Sequence, residues 1–140
     1  MKNLWMMVVV AGSLLMAGSA AAGTPEKVQT AVEAAKQWLD LVDTGRWGES
    51  WDTAAPVFKN AAGRDQWIAM LERARGPLGD VLHRKVQTAN YLTALPGAPA
   101  GEYVVIQFQV TFSDGKSMVE TITPMLDTDN IWKVSGYYIK

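Results

Sequence analysis

The residues of this chain that could do chemistry are acids, arginines and a single histidine. Its 140 residues include one histidine, His83, and no cysteine. A zinc site of the usual His and Cys kind therefore cannot be assembled, and the acids are too dispersed for a carboxylate-only metal site. A serine nucleophile would depend on His83 as its base, and no G-x-S-x-G elbow is present. His83 falls in a strand-like stretch and reads as a surface or partly packed residue. No metal and no cofactor is expected.

Among the acids, Glu120 stands out. If Met118 and Ile122 face the core of a strand, period 2 places Glu120 among the same large apolar side chains. The opposite phase would bury Val119, Thr121 and Met125 instead. An acid beside an apolar pocket, its pKa altered by burial, can move protons as isomerases and dehydratases do. An acid held by arginine is instead part of the structure, and a partner is the default because an unpaired buried charge is costly. Arg75, at the end of a helix, and Arg84, on a strand, are the expected partners. The ion pair is the preferred reading, so no catalytic residue is assigned and Glu120 stays the catalytic candidate of the alternative. Asp43 and Asp52 flank a tryptophan-rich corner. Asp43 sits in the last turn of its helix, where the dipole disfavours an anion. Its expected partner is Arg46 or a loop N–H.

The elements that must position these groups follow from spacing. Thr24-Pro25-Glu26 opens a first helix, whose stripe runs through Val28, Val32, Ala35, Leu39 and Val42 and which Gly45 ends. A short second helix carries Trp47 and Trp51 and is stopped by Pro56. Phe58 is placed in a connecting turn. A third helix spans about Asp65 to Arg75, closed by Gly76-Pro77. The period then changes to 2. Val81–Leu92 reads as a long strand with a bulge or bend, and Leu95–Gly101 as a loop. Glu102–Phe112 alternates strictly, with Val104, Ile106, Phe108, Val110 and Phe112 facing the helices. Asp114-Gly115 makes a hairpin into Lys116–Asp127. The last strand is Ile131–Ile139, with Trp132, Val134 and Tyr138 in phase. Helices first and strands afterwards predict an α+β fold, three N-terminal helices packed on a curved four-stranded antiparallel sheet.

This order resembles the cone-shaped fold of the nuclear transport factor two-like (cystatin-like) superfamily. Within it the chain resembles the exported bacterial family catalogued as domain of unknown function 4019. The resembling residues are Trp38 to Gly45, Ser50-Trp51, Phe58, Trp67, Arg75 to Gly79 and Arg84. Further on they are Leu95 to Tyr103, Glu120-Thr121 and Trp132 to Ile139. The resemblance implies a fold and a compartment, but no activity.

The N-terminus points the same way. Lys2, the apolar run Leu4–Met16 and the small residues Ala17 to Ala22 have the layout of a secretory signal peptide cleaved near Ala22. The expected organisation is a signal peptide over 1–22 and one domain over 23–140, periplasmic or secreted. Removing residues 1–22 takes one lysine and moves the net charge from −1 to −2. That charge offers no platform for nucleic acid, and no membrane attachment is expected after cleavage.

Two surfaces are candidates for binding. Trp51, Phe58, Trp67 and Phe108, with Glu120, would line a cone able to take a small apolar ligand. The outer sheet face carries Tyr103, Val105, Gln107, Gln109 and Thr111, joined by Val119, Thr121, Thr123, Tyr137 and Ile139. It is semi-apolar and poor in charge, which suits a homodimer or protein partner; Tyr103, Val105, Gln107 and Tyr137 are its interface candidates. The leading expectation is a non-enzymatic exported module that binds a small ligand or a protein. The alternative is a small proton-transfer enzyme using Glu120.

Overall fold

The computed structural model describes residues 24–140; the signal-peptide segment expected over 1–22 lies outside the described residues. Four α-helices come first: α1 (Thr24–Asp43), α2 (Trp47–Asp52), α3 (Pro56–Ala61) and α4 (Arg64–Ala74). A 3-10 turn at Gly76–Leu78 leads into β1 (Val81–Leu92), β2 (Tyr103–Phe112), β3 (Ser117–Leu126) and β4 (Trp132–Ile139). The strands form one antiparallel sheet in sequential order, β1-β2-β3-β4. The fold is α+β. No helix among the described residues is long and apolar enough to cross a membrane.

The helix count differs from the expected three because Pro56 starts a helix rather than ending one. Ala55 is extended, which the residue before a proline favours, and Pro56 occupies the first turn, where its missing N–H costs nothing. Phe58 therefore sits on α3 and not in a turn. The end of α1 follows the sequence reading. Gly45 takes φ 77°, and the N–H groups of Gly45 and Arg46 donate back to the carbonyls of Val42 and Leu41, which closes the helix with a Schellman motif.

α1 contacts all four strands and buries Ala31, Ala35, Trp38, Leu39 and Val42 against them. The helical corner beside it is organised on Ser50, which is wholly buried. Trp38 Nε1 donates to the Ser50 carbonyl at 2.7 Å, and Trp67 Nε1 to the Ser50 hydroxyl at 2.9 Å. That hydroxyl donates in turn to the Trp47 carbonyl at 2.6 Å. Trp47 Nε1 donates to Val42 O and Trp51 Nε1 to Ala62 O. Each indole thus buries its ring area with its polar N–H satisfied. The rings then stack inward, Trp38 and Trp67 at 5.9 Å and Phe58 edge-on to Trp67 at 4.9 Å.

The sheet departs from simple alternation in three places. In β1, register shifts at Val81/His83 and Val86/Thr88 bend the strand, and Arg84 lands opposite Val110 on the helix-facing side. In β4, Thr123 pairs with Gly136 but Pro124 pairs with Val134, so Ser135 is an extra, bulged residue. Pro124 has no N–H to offer the ladder, and Ser135 Oγ donates to the Thr123 carbonyl at 2.7 Å. A bulge reverses the side-chain phase. Trp132 and Val134 face the core, and beyond the bulge so do Tyr137 and Ile139. The expectation that Tyr137 and Ile139 lie on the outer face, with Tyr138 inside, is therefore corrected.

The outer face is also less open than alternation suggests. The loop after β1 folds back so that Leu95 packs on Tyr103 and Val105, with Leu92, Ala98 and Met125 around them. Tyr103 Oη donates to the Pro99 carbonyl at 2.6 Å. Two of the four interface candidates, Tyr103 and Val105, are thus buried by the chain itself and Tyr137 is in the core; Gln107 is exposed. Around it runs a polar ladder, Gln87 to Gln109 and Thr88 to Gln107.

The Ser50 hub yields the first prediction. Ser50→Ala strands the Trp67 indole N–H in a dry core, and leaving a buried donor unpaired costs about 1–3 kcal/mol. Urea denaturation should show a lower midpoint with an unchanged slope.

Candidate functional site

Five side chains from five parts of the fold meet beneath the helices. Asp43 ends α1, Arg75 follows α4, Arg84 comes from the bent β1, Glu120 from β3, and Tyr137 is turned inward by the β4 bulge. Arg84 is the bridge. Its Nη1 and Nη2 reach the two oxygens of Asp43 at 2.7 and 3.0 Å, while Nε and Nη2 reach Glu120 Oε1 at 2.8 and 2.7 Å. Arg75 completes the ring, with Nη2 2.7 Å from Asp43 Oδ1 and Nη1 3.5 Å from Glu120 Oε2. Tyr137 Oη donates to Glu120 Oε2 in a short hydrogen bond. The guanidinium groups also lie over rings, Arg75 5.0 Å from Phe112 and Arg84 6.0 Å from Phe108. Arg75 Nε has no hydrogen-bond partner among the described residues, and the contact with Phe112 offsets part of that deficit.

Two anions face two cations, so the cluster is neutral as a whole. Burial pulls the Asp43 carboxyl upward, but the hydrogen bonds from Arg84 and Arg75 outweigh it and hold the group below its ordinary range. Burial likewise opposes the charge on Arg84, and the two carboxylates overcome it and raise its pKa. Burial first, then the Glu120 charge, pushes the Tyr137 phenol well up. Both Glu120 oxygens are engaged, and the residue is wholly buried. A general base needs a face open to the substrate proton, and this one is closed.

The structure brings Arg75, Arg84 and Glu120 together and adds two residues that did not figure in that set. Asp43 meets neither of its expected partners, Arg46 or a loop N–H: Arg46 lies 3.8 Å from Glu49, and Asp43 is held by Arg75 and Arg84. Its actual partners are 32 and 41 residues away in sequence. The one available signal was the misfit of an acid at a helix C-terminus. Tyr137 could not be found by alternation because the bulge precedes it.

Of the five residues expected to line a cone, four are buried and Trp51 lies at the edge. Phe58, Trp67, Phe108 and Glu120 are buried against one another's neighbours, and Tyr137 fills the space between the tryptophans and Glu120, 5.5 Å from Trp38 and 6.1 Å from Trp67. Trp51 is half-buried at the edge, with Lys59 5.4 Å from its ring. His83 is exposed.

A groove of about 510 Å³ lies elsewhere, between α1, α2 and the start of β4. Ala34, Trp38, Leu41, Ile131, Trp132 and Val134 give it an apolar floor, and Gln37, Glu49, Thr53 and Lys133 a polar rim. Ile131 is 55% exposed at its mouth. Neither Ile131 nor Leu41 had been singled out as a binding residue.

A family model described as a protein of unknown function, DUF4019, matches residues 34–137. The chain belongs to the DUF4019 family. The matched stretch holds the whole ion cluster and the whole groove lining. No curated protein matches the DUF4019 chain. It is similar to a solved structure from Catenulispora acidiphila, with 12% identity and a TM-score of 0.57, over 84% of this chain and 93% of that one. The likeness is one of fold.

The cluster makes a pH prediction. A carboxyl whose folded pKa is depressed contributes stability above its unfolded value, about 3.9 for Asp, and loses it as pH falls through the lower folded value. Asp43→Asn should cost about 3 kcal/mol at neutral pH by uncovering both arginines. Urea unfolding across a pH series should show the wild-type and variant curves converging below about pH 4.

Proposed function

We propose that this DUF4019 chain is an exported, non-catalytic module that binds a small ligand in the groove between α1, α2 and β4. The observation that carries the reading is the contrast between the two sites. The groove is open, apolar-floored and of a size with small-ligand sites, which run from about 300 to 1,000 Å³. The acid that would do chemistry is sealed under two arginines and a tyrosine. Export is supported by Lys2, the apolar run Leu4–Met16 and the small residues up to Ala22. Sequential antiparallel strands with helices packed on the sheet support the nuclear transport factor two-like cone as the architecture. Proton transfer by Glu120 lacks a face for the substrate.

Expression of the full chain in a bacterial host should give a periplasmic protein whose mass corresponds to cleavage near Ala22. On the purified protein, titration with small apolar fragments such as indole should move the amide signals of Leu41, Thr53 and Ile131. Shifts confined to the outer face around Gln107, or none at all, would sink the groove reading. Glu120→Gln should lower unfolding free energy by about 3 kcal/mol and leave fragment affinity in the groove unchanged; a catalytic acid predicts the reverse on stability.

A further inference from the structure

The groove has a chemical bias, and we infer that it takes a small organic cation, an apolar body bearing a protonated amine. The inference rests on the groove reading above and specifies its ligand.

The bias comes from how the charges around the groove are already committed. Lys133 is the cation in the lining, and its ammonium is bracketed by Asp127 at 2.7 Å and Asp129 at 2.8 Å. Its charge is more than balanced, so it offers no positive field to a ligand. Glu49 is the anion in the lining, and Arg46 stands 3.8 Å from it, beyond hydrogen-bond reach, with both side chains more than half exposed. Its carboxylate therefore keeps lone pairs open to an incoming donor. The Thr53 hydroxyl is used locally, donating to the Glu49 carbonyl at 3.0 Å.

The floor supplies the other half of the recognition. Trp38 and Trp132 both line the groove, with Leu41 and Ile131 beside them. Indole surface and a carboxylate without a hydrogen-bonded cation, lining the same groove, make a pairing that recognises ammonium groups, through attraction to the ring and to the anion together. An anionic ligand would meet Glu49, Asp127 and Asp129 with no free cation among the lining residues to receive it. A neutral ligand would desolvate Glu49 without giving it a charged partner, which is less favourable.

Trp132 also provides the reporter. Trp38, Trp47, Trp51 and Trp67 all give their indole N–H to protein acceptors. Among the described residues Trp132 gives its N–H to none, so its signal should respond to an occupant of the groove.

The test is an NMR titration of the purified, 15N-labelled protein with phenethylammonium chloride, 2-phenylethanol and phenylacetate, which share an apolar body and differ in charge. The cation should shift the Trp132 indole N–H and the amides of Leu41 and Ile131, and bind at least about 5-fold more tightly than the alcohol. Glu49→Gln should reduce that ratio to about 1 without moving the melting temperature, because Glu49 is exposed. If the alcohol or the carboxylate binds in the groove as tightly as the cation, the cation inference is overturned and the groove site stands. If none of the three perturbs the groove, the inference and the reading beneath it both fall.

Discussion

Arg84 holds the molecule together at the point where helices and sheet must agree. One guanidinium reaches Asp43 at the end of α1 and Glu120 in the middle of β3, and the planar fork of arginine suits that double engagement as a lysine would not. Its position depends on the bend in β1, which turns residue 84 to the helix side. Arg75 then closes the circuit from the end of α4. Removing any one charge leaves the buried cluster with a net charge, because two like charges then share one partner. The aromatic packing around it follows. Tyr137 can lie between Trp38 and Glu120 because its hydroxyl has an acceptor there.

The same arrangement decides what the core can do. A cone lined by tryptophans and one acid has the outline of a proton-transfer site, and residue types alone do not distinguish it from a packed core. What distinguishes them is where each polar atom goes. The indole N–H groups of Trp38 and Trp67 are absorbed by Ser50, and the Glu120 oxygens by Arg84, Arg75 and Tyr137. Of those indole and carboxylate atoms, none is left without a partner among the described residues. Unused capacity appears at the surface instead, at Glu49, Ile131 and Trp132.

Much of this was legible in the sequence where local physics governs. The helical stripe of α1, the glycine at its end and the strict alternation of β2 all follow from spacing; of the two phases spacing allows for β3, the structure takes the one with Glu120 inward, and Arg75 and Arg84 follow from the cost of an unpaired charge. The fold class follows from the order of elements. The helix that Pro56 starts is a local miss; the others depend on contacts between separate segments. Ser135 is extra only because Pro124 across the ladder cannot donate. Tyr103 and Val105 alternate as outward residues do, and are buried because the loop between β1 and β2 returns over them. The groove joins the middle of α1 to the β3–β4 turn, a meeting that no local pattern announces.

The ion cluster also bears on the order in which the molecule assembles. Its ion pairs span 32, 36, 41 and 45 residues of sequence, so none of them can form by closing a short loop. Contacts of such separation come late, after the hairpins and helices that bring their ends together. Until α1, α4 and all the strands that carry its members are in place, the four charges remain hydrated, and nothing favours giving up that water one residue at a time. The cluster thus acts as a seal on a finished fold rather than a seed for it, and partly folded chains should differ from the native one chiefly in having a wet, open interior at this point.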